Sequence, residues 1–287
     1  MEAKPYMFIG NIEVIPNTYI ISNRMKTIIV QPMGGLCNRM RTIASAVKLA
    51  KKLNCKMKVL WVKDKALNAP FKSLFEPIPY PVIETSDGSF FHRLFSFVYK
   101  TVLQYKLLDD NWIGKKAREK DEKLWFDEVE DKNLYIESCS DIYKDCGVYD
   151  IFNPLKSIQE HVISNRDVFV GLHIRRSDNE MSIKYSPTEL FLEAIEKEIE
   201  NNPAVKFYLA TDDSQEEKLI TERFGDRICT YKKRSVDRNT EVAIVDAMID
   251  LTNLASCKKI YGSYYSSFSD VAAIWGNIEK EVLKLNK

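Results

Sequence analysis

The apolar pattern at the start of the chain predicts a strand, a helix and a second strand. Residues 26–32 are a β-branched apolar run that is broken at Gly34 and Gly35, and residues 56–62 form another such run. Between them, residues 38–53 carry apolar side chains at helical spacing. This order predicts a βαβ unit with parallel strands, because the helix carries the chain from one strand to the next.

The pattern is weaker between residues 64 and 165. It predicts a loop with several prolines (64–88), an aromatic and mildly basic helix (90–108), a lysine-rich turn (115–123) and a short strand (134–137). A connection between two domains is expected near residues 147–165. The expected domains are therefore residues 1–150 and residues 151–287.

The second half returns to a regular alternation of strands and helices. The predicted strands are 167–174, 205–210, 227–230 and 258–261, and the predicted helices are 187–200, 214–224, 240–254 and 269–275. This alternation predicts an α/β fold with two doubly wound, Rossmann-like domains, and the last helix is expected to pack back on the N-terminal one. Ligands bind such sheets outside the carboxyl ends of the strands, so the residues that follow each strand are the functional candidates.

Composition and charge narrow the class of protein. The 287 residues are 45% hydrophobic and 29% charged, with 10 Gly and 10 Pro, which excludes disordered and fibrous proteins. Lys plus Arg is 42 and Asp plus Glu is 41, which gives a formal charge of +1. No nucleic-acid partner is expected, because such binding needs an excess of cations.

The cysteines and the apolar segments indicate the cellular compartment in which the protein is expected. The 6 cysteines form no CxxC pair, so a zinc or thioredoxin-type site has no support. No apolar run of signal-peptide length follows a basic start, and nowhere do 18 apolar residues run together. We expect a cytoplasmic protein with free thiols and no membrane-spanning segment. In the helix 90–108, the basic residues Arg93, Lys100 and Lys106 leave peripheral membrane contact open, although core packing of its apolar face is expected.

Polar clusters follow several of the predicted strands. Residues 173–178, His-Ile-Arg-Arg-Ser-Asp, end a buried strand. They predict either an ion-paired strand end, with Arg176 bonded to Asp178, or a diphosphate site, because guanidinium groups match phosphate oxygens. The hydroxyls of residues 263–269 precede a helix and either cap it or accompany a phosphate there.

The residues after two further predicted strands are less specific for one function. Asp212 and Asp213 could hold a divalent metal, yet Asp213 is better placed as a helix N-cap, and no metal is expected. The turn that contains Gly34 and Gly35 is followed by Asn38 and allows the backbone to approach a ligand closely, although a tight turn explains it equally well.

Taken together, these segments resemble the α1,2/α1,6/protein O-fucosyltransferase superfamily. The resemblance is carried by the His-x-Arg-Arg-x-Asp pattern of 173–178, by 207–213, by 250–263 with 266–269, and by the opening turn 34–39, in the order of that family. It implies a GT-B fold, two Rossmann-like domains facing a cleft, and inverting, metal-independent transfer of fucose from the donor GDP-fucose to a glycan or related acceptor. No cofactor is implied.

The resemblance also implies roles for particular residues. By this resemblance, Arg175 binds the β-phosphate of the donor, with Arg176 beside it. The nucleoside is bound by His173 and Asp250. The remaining roles are phosphate contact by Ser266, Ser267 and Ser269, and the cleft or acceptor side for Gly34, Gly35, Asn38 and Arg39.

The general base for the acceptor hydroxyl is the least defined part of the expected site. Glu180 is the first candidate and Asp178 the second, although Glu180 lies nearer to the arginine pair than the family pattern has it. Two alternatives for the function stay open. One is transfer from another nucleotide sugar such as GDP-mannose, and the other is a non-catalytic module that binds a nucleotide or a sugar.

Overall fold

The computed structural model describes residues 25–118, 126–142, 148–163, 166–177, 179–235, 237 and 239–285. These residues form two five-stranded sheets in which all paired strands are parallel. Asp178, Cys146 and residues 1–24 lie outside the described part. The expectation of two Rossmann-like parallel sheets is confirmed, while the domain boundary near residue 150 stays a prediction.

The strands are β1 (Thr27–Pro32), β2 (Lys56–Lys63), β3 (Val82–Ser86), β4 (Lys106–Asp109), β5 (Leu134–Ser138), β6 (Phe169–Ile174), β7 (Lys206–Thr211), β8 (Ile228–Cys229), β9 (Lys259–Ser263) and β10 (Glu279–Leu283). The α-helices are α1 (Leu36–Lys52), α2 (Phe90–Phe97), α3 (Asp110–Arg118), α4 (Lys156–Gln159), α5 (Glu180–Tyr185), α6 (Thr188–Asn201), α7 (Ser214–Phe224), α8 (Glu241–Ala255) and α9 (Ser267–Gly276). A π-helical turn, Val98–Val102, extends α2, and short 3₁₀ turns occupy Phe71–Ser73, Arg166–Val168 and Gly225–Arg227.

Each sheet has its first strand at the centre. The order is β3-β2-β1-β5-β4 in the first sheet and β10-β9-β6-β7-β8 in the second. The chain therefore moves outward on one side of β1 or β6 and then returns to the other side. A crevice opens at the carboxyl end of the central strand where this reversal occurs, and ligands of doubly wound folds bind there.

The two halves share one apolar core. A single cluster of buried side chains includes Ile28 and Val47 from the first half and Tyr208, Ile249 and Ala272 from the second. The helices α1 and α9 contact each other across this boundary.

Hydrogen bonds also join distant parts of the chain. The side-chain amide of Asn68 donates to the carbonyl of Asn239 at 2.8 Å. The side chain of Asn253, in α8, accepts from the N–H of Ile163 at 2.8 Å and donates to the carbonyl of His161 at 3.1 Å. The end of the connection between the halves is therefore held against α8.

Some predicted elements were wrong. The loop assigned to 64–88 contains β3, the helix assigned to 90–108 ends early and is followed by β4, and α3 begins at Asp110, within the span left between predicted elements. The strand β10 was not predicted. Three of these, β3, β4 and β10, are edge strands, which bury less side-chain surface and so lack the continuous apolar run of a central strand.

Candidate functional site

The centre of the second sheet presents a buried histidine at its carboxyl edge. His173, in β6, is 5% exposed, and its ring stacks on Phe268 of α9 with the centroids 4.9 Å apart. Burial lowers the pKa of His173 to about 3, so the imidazole is neutral at physiological pH. Its Nδ1 atom has no hydrogen-bond partner among the described residues. An unused ring nitrogen in a buried position is a feature that a polar ligand can satisfy.

Arg175 is fixed beside this histidine by the neighbouring strands. Its backbone N–H donates to Oγ of Ser263 at 2.9 Å, and that hydroxyl donates to the carbonyl of His173 at 3.2 Å. Its guanidinium forms an ion pair with Asp212, the residue that follows β7. The register of β6 on β7 pairs Ile174 with Thr211, so the two residues after these strands meet.

Asp212 organises the whole turn after β6. Its carboxylate accepts from the N–H of Arg176 at 2.7 Å and from Oγ of Ser177 at 2.6 Å, in addition to the Arg175 ion pair. Burial alone would raise the pKa of Asp212, yet the charge of Arg175 and these hydrogen bonds hold it below its usual value. Its neighbour Asp213 accepts from the N–H groups of Gln215 and Glu216, which is the N-cap role expected for it.

The Arg176 guanidinium donates to the carbonyl of Arg175 at 3.0 Å and is held by two further side chains. Its Nε atom bonds to Oε1 of Glu216 at 2.6 Å and its Nη2 atom to Oγ1 of Thr188 at 3.0 Å. Arg176 is 8% exposed, so this buried ion pair joins the turn to α6 and α7. The expected partner Asp178 lies outside the described residues. We therefore attribute a structural role to Arg176, in place of the donor contact that the sequence suggested.

The amino end of α9 is the second candidate, after Arg175, for contact with an anion. Ser266 is its N-cap residue, and its side chain makes no capping hydrogen bond, so the first N–H groups of the helix are not capped by it. Such N–H groups attract phosphate. Ser267 is half-buried at this end of the helix. Because Phe268 of the same turn stacks on His173, this helix end lies beside the end of β6.

Ser269 differs from its two neighbouring serines. It is 0% exposed, and its hydroxyl bonds to the carbonyl of Ser266 at 3.4 Å. It packs on Gly262 in β9, where an added Cβ would lie 2.5 Å from its Oγ. The expectation that Ser269 contacts a phosphate is therefore corrected, because its side chain fills the space between the helix and the sheet.

Asp250 is buried in α8, the helix that packs on β6 and β7. Its carboxylate accepts from the hydroxyl of Tyr208 at 2.8 Å and lies 3.1 Å from Nζ of Lys233. Burial raises the pKa of Asp250 to about 6, although Lys233 and Tyr208 both act to lower it. A carboxylate with its pKa in this range is characteristic of functional sites.

The turn after β1, which opens the first half, allows another group to approach its backbone closely. Gly34 has a φ of +75°, which favours glycine, and an added Cβ would lie 3.0 Å from the Asn38 amide nitrogen. Gly35 is the N-cap residue of α1, and an added Cβ there would meet nothing within 4 Å. Asn38 is half-buried in the first turn of α1. The cleft or acceptor-side role of these three residues stays a prediction.

Arg39 does not face the cleft. It is 0% exposed, donates from Nε to the carbonyl of Gly34 at 2.7 Å, and pairs through Nη2 with Asp64 at 2.9 Å. Burial lowers its pKa, and the Asp64 carboxylate opposes that change. The expectation of an acceptor-side role is corrected: Arg39 ties the Gly34 turn to the loop after β2.

Cys37 shows that the two halves approach each other at this site. It is buried in the first turn of α1, and burial raises the pKa of its thiol. The charges that act on this thiol are those of Arg41, Asp270 and Arg175. The opening turn of the first half therefore lies near both the arginine at the end of β6 and the first turn of α9.

The two candidates for the general base are placed differently. Glu180 is exposed in the first turn of α5, next to its N-cap residue Asn179. The Asn179 amide also donates to the carbonyl of Tyr265 at 2.9 Å, which ties α5 to the loop before α9. Glu180 thus lies beside the site and stays a prediction for the base. Asp178 is outside the described residues.

The described ranges contain neither a group of side chains that could bind a metal ion nor a helix that could span a membrane. No group of three or more His, Cys, Asp and Glu side chains within them could hold a metal ion. None of the helices in the described ranges has the length and apolar character needed to cross a bilayer. Of the basic residues considered for membrane contact, Lys100 pairs with Glu137 and Lys106 with Glu128. The helix α2 nevertheless exposes apolar side chains, namely Phe90, Phe91, Leu94 and Phe97.

Comparison with known proteins shows which solved structures share this fold. No protein-family model matches the chain, and no curated protein matches it. The alpha-1,6-fucosyltransferase NodZ, soaked with GDP-fucose, matches with a TM-score of 0.58 and 20% identity over 88% of this chain and 93% of that one. POFUT1 in complex with GDP matches with a TM-score of 0.56 and 11% identity over 90% of this chain and 98% of that one. The chain has a fucosyltransferase fold.

The same match extends to NodZ from Bradyrhizobium, with a TM-score of 0.58 and 19% identity over 87% of this chain and 91% of that one. The resemblance drawn from the sequence is therefore confirmed at the level of the fold.

Sequence reasoning missed several residues of the candidate site. Phe268, Tyr208, Lys233 and Glu216 were not singled out, and Asp212 was considered only as a metal ligand.

A sequence signal existed for part of this set. Asp212 and Glu216 follow β7, the strand that pairs with β6, so their carboxylates could have been matched with the two arginines that follow β6. Phe268 and Lys233 come from loops and helix ends far away in the chain, and no spacing in the sequence indicates their contacts.

Proposed function

We propose that this chain is an inverting glycosyltransferase of GT-B type that transfers fucose from GDP-fucose to a hydroxyl of a glycan, without a metal ion. The observation that carries the proposal is that Arg175, two residues after His173, and the amino end of α9 both lie beside the stacked rings of His173 and Phe268. A guanidinium and helix N–H groups together suit a diphosphate. The fold shared with NodZ and POFUT1, whose crystals hold GDP-fucose or GDP, supports the choice of donor.

In the proposed reaction, the oxygen of the acceptor hydroxyl forms a bond to C1 of fucose while the bond from C1 to the β-phosphate oxygen breaks. The electron pair of the broken bond leaves with GDP, and the proton of the acceptor hydroxyl passes to a base, for which Glu180 is the candidate. Negative charge grows on the leaving diphosphate. Arg175 and the N–H groups of α9 stabilise this charge more in the transition state than in the ground state, which lowers the barrier.

His173 and Asp250 are proposed to hold the nucleoside. The unpartnered Nδ1 of His173 can bond to a polar group of the donor, and the Asp250 carboxylate can accept from an N–H of the base or a hydroxyl of the ribose. The ion pair between Arg175 and Asp212 keeps the guanidinium at the strand end before the donor arrives. Such preorganisation saves the cost of ordering a long side chain during binding.

Thermal unfolding with GDP in the presence of EDTA tests this proposal. Wild type is expected to melt at a higher temperature with GDP, and Arg175→Ala is expected to lose that shift and at least about 100-fold in turnover. Arg223→Ala, which removes an exposed arginine paired with Glu196, is the matched control and should keep the shift. A folded wild-type protein without any GDP shift would contradict the proposal.

The sugar is tested separately. Release of GDP is measured from GDP-fucose and from GDP-mannose, both with EDTA. Faster release from GDP-fucose is expected, while a preference for GDP-mannose would assign the chain to another nucleotide sugar. GDP binding without turnover of either donor would leave a non-catalytic binding module.

A further inference from the structure

The helix α2 and the turn that follows it carry apolar side chains on their inner and outer sides. On the inner side, Phe95 and Tyr99 pack on the buried apolar cluster of the first sheet. The hydroxyl of Ser96 also bonds to that of Tyr135, in β5, at 3.2 Å. The inner side therefore holds α2 in the fold, as the apolar stripe of a surface helix normally does.

The outer side of such a helix is normally polar, yet here it is apolar as well. Phe90 is 76% exposed and Phe97 is 56% exposed. At about 150 to 250 Å² for one aromatic side chain, the exposed rings of Phe90, Phe91 and Phe97 alone present roughly 350 Å². We call the exposed apolar residues of this segment the α2 face; they are Phe90, Phe91, Leu94, Phe97, Val102, Leu103 and Leu107. An apolar patch of several hundred Å² is typical of an interaction site.

The ionisable side chains of this segment that carry charge near neutral pH are basic. Residues 88–108 contain His92, Arg93, Lys100 and Lys106 and no Asp or Glu, in a chain with 41 acidic residues. Lys100 and Lys106 pair with Glu137 and Glu128, and the His92 ring lies 3.4 Å from the carboxylate of Asp87. Arg93 is exposed and forms no ion pair with a described residue. The segment therefore offers a positive charge beside the apolar rings, which is complementary to an anionic partner.

This combination distinguishes between two possible occupants of the α2 face. A two-fold dimer would place the face against its own copy, because an isologous contact uses the same patch twice. Such a contact would contain the Arg93 charge of both copies, and residues 88–108 supply no carboxylate to pair with them. A bilayer with anionic lipids fits better, because its acyl chains cover Phe and Leu side chains while its headgroup phosphates pair with arginine.

We propose that the α2 face is a peripheral membrane-binding surface for an anionic bilayer. Its phenylalanine and leucine side chains enter the boundary between headgroups and acyl chains, about 5 to 10 Å deep, and Arg93 pairs with a lipid phosphate. The face belongs to the first half, whereas the proposed donor contacts follow β6 and lie in α8 and at the amino end of α9. Membrane binding therefore goes beyond the proposed transfer reaction and does not depend on it.

Co-sedimentation with lipid vesicles tests this proposal. The probes are vesicles of phosphatidylcholine alone and vesicles of equal parts of phosphatidylcholine and phosphatidylglycerol. Wild type is expected to bind both and to bind the anionic vesicles about fivefold more tightly, because one cation near such a surface contributes about that factor. High salt should remove the preference and leave the binding that comes from apolar contact.

Substitutions separate the apolar and the ionic contributions. Phe90→Asp and Phe97→Ser should each weaken binding to both kinds of vesicle at least about tenfold, whereas Phe97→Trp should retain it. Arg93→Gln should remove the preference for anionic vesicles. Leu219→Asp changes a side chain that is 46% exposed on α7 and is the matched control, which should bind like wild type.

Three results would overturn the proposal. The first is a folded wild-type protein that binds neither kind of vesicle. If that protein is a dimer that Phe90→Asp dissociates in analytical ultracentrifugation, the α2 face joins two copies; if it is a monomer that Phe90→Asp destabilises strongly, its own chain covers the face. The second is vesicle binding that Leu219→Asp weakens as much as Phe90→Asp does. The third is a preference for anionic vesicles that Arg93→Gln retains, which decides the matter even if a phenylalanine variant does not fold.

Discussion

The proposed nucleoside role of Asp250 predicts that the affinity for the donor depends on pH. The Asp250 pKa of about 6 means that the carboxylate is ionised at pH 7 and largely protonated at pH 5. If the carboxylate holds the nucleoside by accepting hydrogen bonds, only the ionised form binds well. The affinity for the donor should then be almost unchanged between pH 8 and pH 7, and should fall roughly tenfold by pH 5.

The free energy of unfolding should change with pH in the opposite sense to the affinity for the donor. An aspartate in the unfolded chain has its pKa near 3.8, so the folded protein binds the proton more tightly than the unfolded chain. The free energy of unfolding therefore falls as the pH rises from about 4 to about 6, and this contribution then stays constant. With one pKa unit worth about 1.4 kcal/mol, the change attributable to Asp250 is on the order of 3 kcal/mol.

Calorimetric titration with GDP-fucose at pH 5, 6, 7 and 8 measures the affinity. GDP-fucose is the better titrant because the terminal phosphate of GDP itself titrates near pH 6. Asp250→Asn should give a weaker affinity that does not change with pH. Tyr208→Phe removes a hydrogen bond that favours the ionised form, so the midpoint should move to higher pH. An affinity that is flat from pH 5 to pH 8 in wild type would refute the assignment of Asp250 to the nucleoside.

Three further predictions concern neighbouring parts of the fold. Arg176→Ala leaves a buried carboxylate unpaired and should lower the free energy of unfolding by about 3 to 5 kcal/mol in urea titrations. Gly276→Ala places a Cβ 2.1 Å from the carbonyl oxygen of Ala255 and should lower the melting temperature strongly, whereas Gly35→Ala, with open space around it, should leave it unchanged. Glu180→Gln should lower kcat at least about 100-fold and remove the acid limb of its pH profile if Glu180 is the base, with the GDP thermal shift retained. A kcat within a few-fold of wild type would assign the base elsewhere.

Sequence reasoning was most successful where burial is complete. The central strands β1 and β6 are continuous apolar runs, and both were predicted; the functional roles of the residues that follow them stay predictions. The edge strands β3, β4 and β10 are only partly buried, and packing against a neighbouring strand, which the sequence pattern does not contain, decides their conformation.

Three arginines show the same limit of sequence reasoning, because their side-chain partners could not be predicted from the sequence. Arg39, Arg175 and Arg176 look alike in the sequence, because each follows a predicted strand closely. The positions of Asp64, Asp212 and Glu216 distinguish them, since each carboxylate comes from another element of the fold and pairs with one guanidinium. The contacts and burial separate Arg39 and Arg176, which are buried in ion pairs, from the partly buried Arg175, whose contact with the donor stays a proposal.

The apolar cluster that includes both Val47 and Ile249 has a consequence for motion. Opening the cleft by rotating one half away from the other would expose side chains that are now packed together, and tightly packed interiors resist such deformation. Under the proposed function, GDP and the product are therefore expected to leave through rearrangements of side chains and turns at the strand ends, with the two sheets keeping their relative orientation through the catalytic cycle.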